Sequence, residues 1–342
     1  MKEKSNKKAV VPIMLAFLIM GFGDVVGPMV SLVKDSFGVS NFLAQLLTFS
    51  GFIMFGILSV PMGIYQDKKG KKHTLLIGLS IAFFGLIIPI IGGMYGKINI
   101  GENTNFLFYI ILFSVLLLGA GATILQVSGN PVMRDVSSEG KYASNLSFAQ
   151  SIKAIGSSLG FLLPPLAAMY LDLDWTILFP IYSILVLLTL IWISNIKIEE
   201  KKLDGEKSAS LKSCLTLLKN KFVLVMVLGI FLYVGAEVSM SSQIPILMKD
   251  AFGIENFGLW ISWSLFFLPI LIGRFIGSAI LRILQPKIFL TISALLAISG
   301  IALMFIGNQY SAFAGIILIG FGFSNIFPLI FSITIDKHPE RA

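Results

Sequence analysis

Apolar runs of about 20 residues, broken by short polar stretches, recur along the whole chain. A helix crossing a bilayer needs roughly 20 mostly apolar residues, and runs of that order lie near 9–33, 42–65, 74–94, 107–132, 142–170, 175–195, 222–248, 257–283, 288–306 and 312–335. Only helices or closed barrels satisfy their backbone groups in lipid, and these runs are too long for barrel strands. The pattern predicts an all-α polytopic membrane protein with ten spans. One segment departs from the rhythm. Residues 196–221 are dense in Lys and Glu around Lys202-Leu-Asp-Gly-Glu-Lys207 and separate six spans from four. We expect an N-terminal six-helix half at 1–195, a cytoplasmic central linker at 196–221 and a C-terminal half at 222–342 with four helices present.

The two halves echo each other. Span four carries Gly119-Ala-Gly121, then Gln126 and Asn130-Pro131, and span ten carries Gly320-Phe-Gly322, then Ser324-Asn325 and Pro328. A glycine pair, an amide and a proline at corresponding places suggest pseudo-symmetric halves of an internal duplication.

Composition agrees with the bilayer as solvent. Of 342 residues 56% are hydrophobic and 13% charged, with a mean hydropathy of +0.89; soluble domains average roughly 25% charged. The net charge of +8 points to membrane orientation rather than nucleic acid, because the cations sit between the apolar runs. With the N-terminus inside, only Lys34, Lys97 and Lys249 fall outside among the 26 Lys and Arg, and Lys153 and Arg274 lie within spans. Such asymmetry predicts the N-terminus and the central linker on the cytoplasmic side, and the membrane expected is a bacterial inner membrane. The run after Lys8 is too long for the apolar region of a cleaved signal. A single Cys214 and two histidines, His73 and His338, show no metal cluster. No nucleophile–base pair or phosphate-binding loop appears, so we expect neither an enzyme nor a cofactor.

Asp24, Lys153, Glu237 and Arg274 are ionisable residues inside spans. A charge at the bilayer centre costs about 2.5–3.5 kcal/mol even on lenient scales, so each must face a partner or a wet cavity. Asp24 stands in Gly21-Phe-Gly23-Asp24-Val-Val-Gly27-Pro28, where glycines and a proline weaken the helix. Desolvation favours the protonated form of a carboxylate. Asp24 is therefore a candidate for proton coupling, with a structural ion pair, for instance to Lys153, as the other reading. Glu237 is a candidate for coupling or substrate contact. Gln126 and Asn130 share a helix face, as do Gln150 and Lys153. Amides donate and accept, which suits a hydroxyl-rich ligand; bonding between helices is the alternative. Asn325 joins the substrate candidates as the amide of span ten. Arg274 is expected to cap carbonyls or pair with a loop acid. Phe22, Phe231, Tyr233 and Trp260 could stack on a sugar ring, or simply pack.

The loop Gly63-Ile-Tyr-Gln-Asp67-Lys68-Lys-Gly70-Lys71-Lys72 follows G-x-x-x-D-[RK]-x-G-[RK]-[RK] at every specified position and resembles the signature loop of the major facilitator superfamily of secondary transporters. Gly63 suits close packing of a helix end, Gly70 a tight turn, and the resemblance implies a gating role for Gly63, Asp67, Lys68, Gly70, Lys71 and Lys72. Asp24 four residues before Pro28, Gln126-Val-Ser-Gly-Asn130-Pro131, Asn145-Leu-Ser-Phe-Ala-Gln150 and Gly235-Ala-Glu237 are similar to segments of the fucose permease branch, the fucose/galactose/glucose:proton symporters. In that branch the span-one aspartate is linked to proton coupling. Gln126 stands where the fucose permease has a glutamate and resembles the glucose/galactose members. Lys153 stands where they have a neutral polar residue, which opens the possibility of an acidic sugar.

The family usually has twelve spans, so the last two of twelve are expected to be missing, through truncation of the record or as a natural ten-span form. The resemblance implies proton-coupled import of a small polar solute, foremost a monosaccharide, by alternating access. A sugar acid or other carboxylate held by Lys153 is the alternative cargo, and a non-transporting membrane sensor or interaction protein the alternative class. Substrate, protons and lipid bilayer are the partners implied, with a monomer expected and no nucleic acid.

Overall fold

The computed structural model describes residues 2–98, 104–138, 140–198, 200, 210–254 and 258–337. Most of residues 201–221 before Ser210, with His338 and Arg341, therefore lie outside the described residues. The described chain is helical, in the order α1 (Lys2–Asp24), α2 (Val26–Phe37), α3 (Asn41–Lys69), α4 (Lys71–Ile91), α5 (Thr104–Val136), α6 (Tyr142–Leu171), a 3₁₀ turn (Trp175–Ile177), α7 (Leu178–Asn195), α8 (Leu211–Leu217), α9 (Lys221–Phe252), α10 (Gly258–Ser262), a π turn (Trp263–Phe267), α11 (Leu268–Ile280), α12 (Pro286–Met304), α13 (Gln309–Phe323) and α14 (Ile326–Lys337). Among the described residues nine helices or helix runs are long and apolar enough to cross a membrane, ten when α1 and α2 count as one bent span. The ten predicted runs map onto these.

Two of the predicted spans are broken, each about four residues before a proline. In a continuous helix the carbonyl of residue i accepts from the N–H of residue i+4. Asp24 and Ser324 both have proline at that place, Pro28 and Pro328, and proline has no N–H. α1 ends at Asp24 and α2 begins at Val26, with a bend of 46° between the two segments. α13 ends at Phe323 and α14 begins at Ile326. Span four behaves differently from span ten despite their similar motifs, since α5 runs unbroken through Pro131. α6 likewise stays one helix through Pro164 and Pro165.

The glycine pairs of spans four and ten do equivalent work. A Cβ on Gly119 would stand 2.1 Å from the carbonyl oxygen of Gly51 in α3, and one on Gly121 would stand 2.8 Å from Ala82 in α4. A Cβ on Gly320 would meet the carbonyl of Phe266 in the π turn at 2.7 Å, and one on Gly322 the backbone nitrogen of Ala297 in α12 at 2.6 Å. Each pair lets one helix touch two neighbours at backbone distance, the close approach that drives helix association in lipid.

Contacts divide the chain into two compact units, one holding 2–136, 159–200 and 210–211 of the described residues, the other 137–158 and 212–337. α6 contributes its first half to the second unit and its second half to the first. Buried hydroxyls mostly bond within their own helix: Thr123 donates to Gly119, Ser128 to Ile124, Ser151 to Ser147 and Ser158 to Ala154. This meets the need for internal satisfaction without a partner helix. Phe42, Phe49, Phe84, Ile184, Leu188, Trp192, Val225, Leu295 and Ile298 are exposed, an outward apolar surface that only lipid solvates well.

Candidate functional site

In the first unit, Asp24 sits half-buried at the last position of α1, beside the break. Gln126 on α5 is half-buried, whereas Asn130 one turn on is 2% exposed. Phe22 is packed against another ring: it lies 4.0 Å from that of Tyr182, both buried, beside a small apolar cavity that it lines with Ile19, Leu118 and Leu125.

The loop between α3 and α4 is held by chemistry that only the fold reveals. Gly70 has φ 95° and ψ 156°, a backbone region nearly closed to other residues, so the expected tight turn is present. Gly63 differs from expectation. A Cβ there would meet nothing within 4 Å, so close packing is not what that position needs here. Asp67 and Lys68 are exposed. Lys71 donates to Asp135 at the end of α5, Nζ to Oδ2 2.6 Å, with side chains 18% and 5% exposed. Lys72 bridges the opposite way. Its Nζ donates to the carbonyls of Ser194 and Ile196, at 2.9 and 2.6 Å, placing a cation at the C-terminus of α7. Its backbone N–H donates to Glu200 Oε1 at 2.8 Å, placing an anion at the N-terminus of α4. Both placements complement the helix dipoles. An added Cβ on Gly70 would come within 3.1 Å of both carboxylate oxygens of Glu200. Asp135 and Glu200 were not singled out from sequence; their only signal was an acid at or shortly after the end of an apolar helix.

In the second unit, Gln150, Lys153, Glu237, Arg274 and Asn325 gather on four spans. Arg274 is 6% exposed. It donates from Nε to the carbonyl of Ser324 at 3.0 Å, from Nη1 to the carbonyl of Gln150 at 3.1 Å and from Nη2 to Glu237 Oε1 at 3.4 Å. It thus caps carbonyls as expected, one of them the Ser324 oxygen that Pro328 leaves without a helical donor. The acid it pairs with corrects the expectation: Glu237 belongs to a span, not a loop. Glu237 is the accessible end of the pair, its side chain 24% exposed against 7% for Arg274. Lys153 is half-buried on α6. Gln150 is 2% exposed, and its Nε2 has no hydrogen-bond partner among the described residues. Asn325 is fully buried and committed. Its Oδ1 accepts from Ser147 at 2.9 Å, and its Nδ2 donates to the Gly273 carbonyl and to Ser324 Oγ, each at 2.8 Å. In this conformation no face of Asn325 is open to a ligand. Tyr233 is likewise engaged, its hydroxyl donating to the Phe323 carbonyl at 3.1 Å. Phe231 points outward, 72% exposed, and Trp260 is half-buried.

Apolar spans with helix breaks and polar side chains held within them are those of a multi-pass membrane protein. The chain belongs to the Major Facilitator Superfamily, whose family model matches residues 13–342. It is 24% identical over 353 residues to the glucose/galactose transporter of Brucella abortus biovar 1 (strain 9-941), covering 97% of this chain and 81% of that protein. It is 26% identical over 310 residues to the glucose/mannose transporter GlcP of Bacillus subtilis (strain 168), covering 86% of this chain and 71% of the relative. Among solved structures, the fold resembles that of the E. coli fucose:proton symporter FucP, with a TM-score of 0.73 at 18% identity, covering 98% of this chain and 86% of that one.

Proposed function

We propose that this protein imports a monosaccharide together with protons across a bacterial cytoplasmic membrane, exposing its cargo site to each side in turn. It works as a lipid-embedded monomer, in two halves at 1–195 and 222–342, with its N-terminus and the linker at 196–221 on the cytoplasmic side. The observation that carries the reading is Asp24, a half-buried carboxylate at the bent joint of α1 and α2. A titratable group placed there can take up and release a proton as its surroundings change. Similarity along nearly the whole chain to proteins named as glucose/galactose transporters supports the sugar. Gln126, Asn130, Gln150, Lys153 and Glu237 supply donors and acceptors to hydroxyls, and the buried, unanswered Nε2 of Gln150 is a donor in want of an acceptor. The loop from Gly63 to Lys72 gates the cytoplasmic side. Cargo and proton drive the cycle only through their differential affinity for its states.

Proteoliposomes loaded with a pH-sensitive dye test this. Addition of D-glucose or D-galactose is expected to acidify the lumen, and Asp24→Asn to abolish that signal. Proton movement that persists in Asp24→Asn would remove Asp24 from the coupling role. Lys153 is a cation on the same helix as Gln150, so a carboxylate cargo is tested in parallel. If the wild type takes up sugar acids and not neutral hexoses, and Lys153→Gln loses that uptake, the acidic cargo replaces the neutral one.

A further inference from the structure

α6 and α11 meet, inside the second unit, along a seam of reciprocal hydrogen bonds. Ser144 Oγ donates to the Ser278 carbonyl at 2.8 Å, and Ser278 Oγ donates back to the Ser144 carbonyl at 3.1 Å. One turn along α6, Ser147 donates to Asn325. A Cβ on Gly277 would fall 2.3 Å from Asn325 Nδ2, and one on Gly273 would fall 2.6 Å from Ser324 Oγ, so α11 is shaped to receive the α13–α14 joint. The four serines and the asparagine named here are at most 6% exposed. Within the buried part of the seam the contacts are short and polar, and one apolar pair flanks them, Phe148 of α6 edge-on to Phe275 of α11 with ring centroids 5.9 Å apart. Hydrogen bonds can exchange partners without opening a cavity, which suits a contact that parts and reforms.

Arg274 lies at one end of this seam and touches every element in it. Its guanidinium has five N–H donors in a fixed plane, and three of its nitrogens are spent on three helical segments: the Gln150 carbonyl of α6, the Ser324 carbonyl of the joint and Glu237 of α9. Because the fork is rigid, its tilt cannot change at one end alone. We propose that Arg274 is a positioning residue that couples the carboxylate of Glu237 to closure of the α6–α11 seam. Glu237 is the more exposed member of the pair, with the Tyr233 hydroxyl also beside it, and its contact with Arg274 is the longest of the three. A cargo hydroxyl that binds Glu237 competes for the oxygen that aims the guanidinium. The fork then swings, its hold on the Gln150 carbonyl weakens, and the seam loosens where the candidate amide of α6 begins. This rests on the reading of Glu237 as a cargo contact.

The chain's single cysteine makes the test direct. In a Cys214→Ser background, Ser278→Cys places one thiol in the seam, and its rate of alkylation by N-ethylmaleimide reports how often the seam opens. Glu237→Gln and Arg274→Lys are each expected to raise that rate at least about tenfold, the scale set by losing one hydrogen bond to a charged group. The double variant should label no faster than the faster single one, because both act through one contact. A cysteine at Ser128, buried in the first unit, must label at an unchanged rate, which separates seam opening from general loosening. If Arg274→Lys does not fold, Glu237→Gln alone decides. A Ser278→Cys rate that Glu237→Gln leaves unchanged would overturn the coupling. Labelling needs neither cargo nor a proton gradient, so the two readings fail separately. A rate shift without monosaccharide uptake keeps the coupling and sinks the import reading; uptake without a rate shift does the reverse.

Discussion

Replacing Lys71 with methionine isolates the buried pair that ties the start of α4 to the end of α5. Lys71 Nζ lies 2.6 Å from Asp135 Oδ2, and the acid's side chain is only 5% exposed. Methionine keeps most of the stem's length and its apolar packing while withdrawing the cation. Removing one member of a buried pair typically costs about 3–5 kcal/mol, because the other charge stays desolvated. The lysine side is 18% exposed, which places the expectation at the lower end, about 3 kcal/mol. At roughly 2 °C per kcal/mol for a large chain, the apparent melting midpoint should fall by about 6 °C. The four tryptophans allow this to be followed by intrinsic fluorescence in detergent at a fixed scan rate. Lys71→Met/Asp135→Leu should recover most of the loss, since an apolar pair in the same volume is often as stable as the ion pair. A single variant that melts with the wild type would refute the reasoning. So would a double variant that melts as low as the single one, because the cost would then not come from the stranded carboxylate.

Three further outcomes follow from the same geometry. Gly70→Ala should destabilise by about 1–3 kcal/mol, because φ 95° is a strained region for alanine and the new Cβ would press on Glu200; a melting scan of Gly70→Ala beside Gly63→Ala, where there is open space, should show the first much lower than the second. Gly119→Val should fail to yield monodisperse protein, since even a Cβ would stand 2.1 Å from the Gly51 carbonyl and overpacking costs about 1–3 kcal/mol or more; normal size-exclusion behaviour would contradict the contact. On the loops, the Lys97 ammonium hydrogen-bonds Asp172 and holds its carboxyl below its ordinary value of 3.8. A depressed carboxylate contributes stability that is full above its unfolded value and is lost as pH falls through the folded one. Lys97→Gln should therefore leave the midpoint at pH 7 within scatter, both groups being exposed, and any difference from wild type should vanish in strong acid rather than grow.

The class of protein was legible from one-dimensional pattern because the bilayer imposes it: apolar length, cation asymmetry and the spacing around Asp67 are properties of consecutive residues. The helix breaks at Asp24 and Ser324 were also local in origin, since a proline four residues on removes one specific donor. In the first case the weakened segment could be anticipated, while in span four the same residue types left α5 intact because its neighbours pack closely along it. What sequence could not assign was partnership. Asp135 and Glu200 lie 64 and 128 residues from the lysines they bind, and no periodicity records such a distance. Asn325 carried the signal of a ligand-binding amide, yet the fold surrounds it with Ser147, Gly273 and Ser324, whose backbone and hydroxyl groups answer its polar atoms before any ligand could. Arg274 and Glu237 were each visible as charges that lipid would not tolerate alone. That they answer one another, and that the same guanidinium reaches the Gln150 carbonyl, was decided by tertiary packing, because only packing brings donors from separate helices within 3.5 Å while water is excluded.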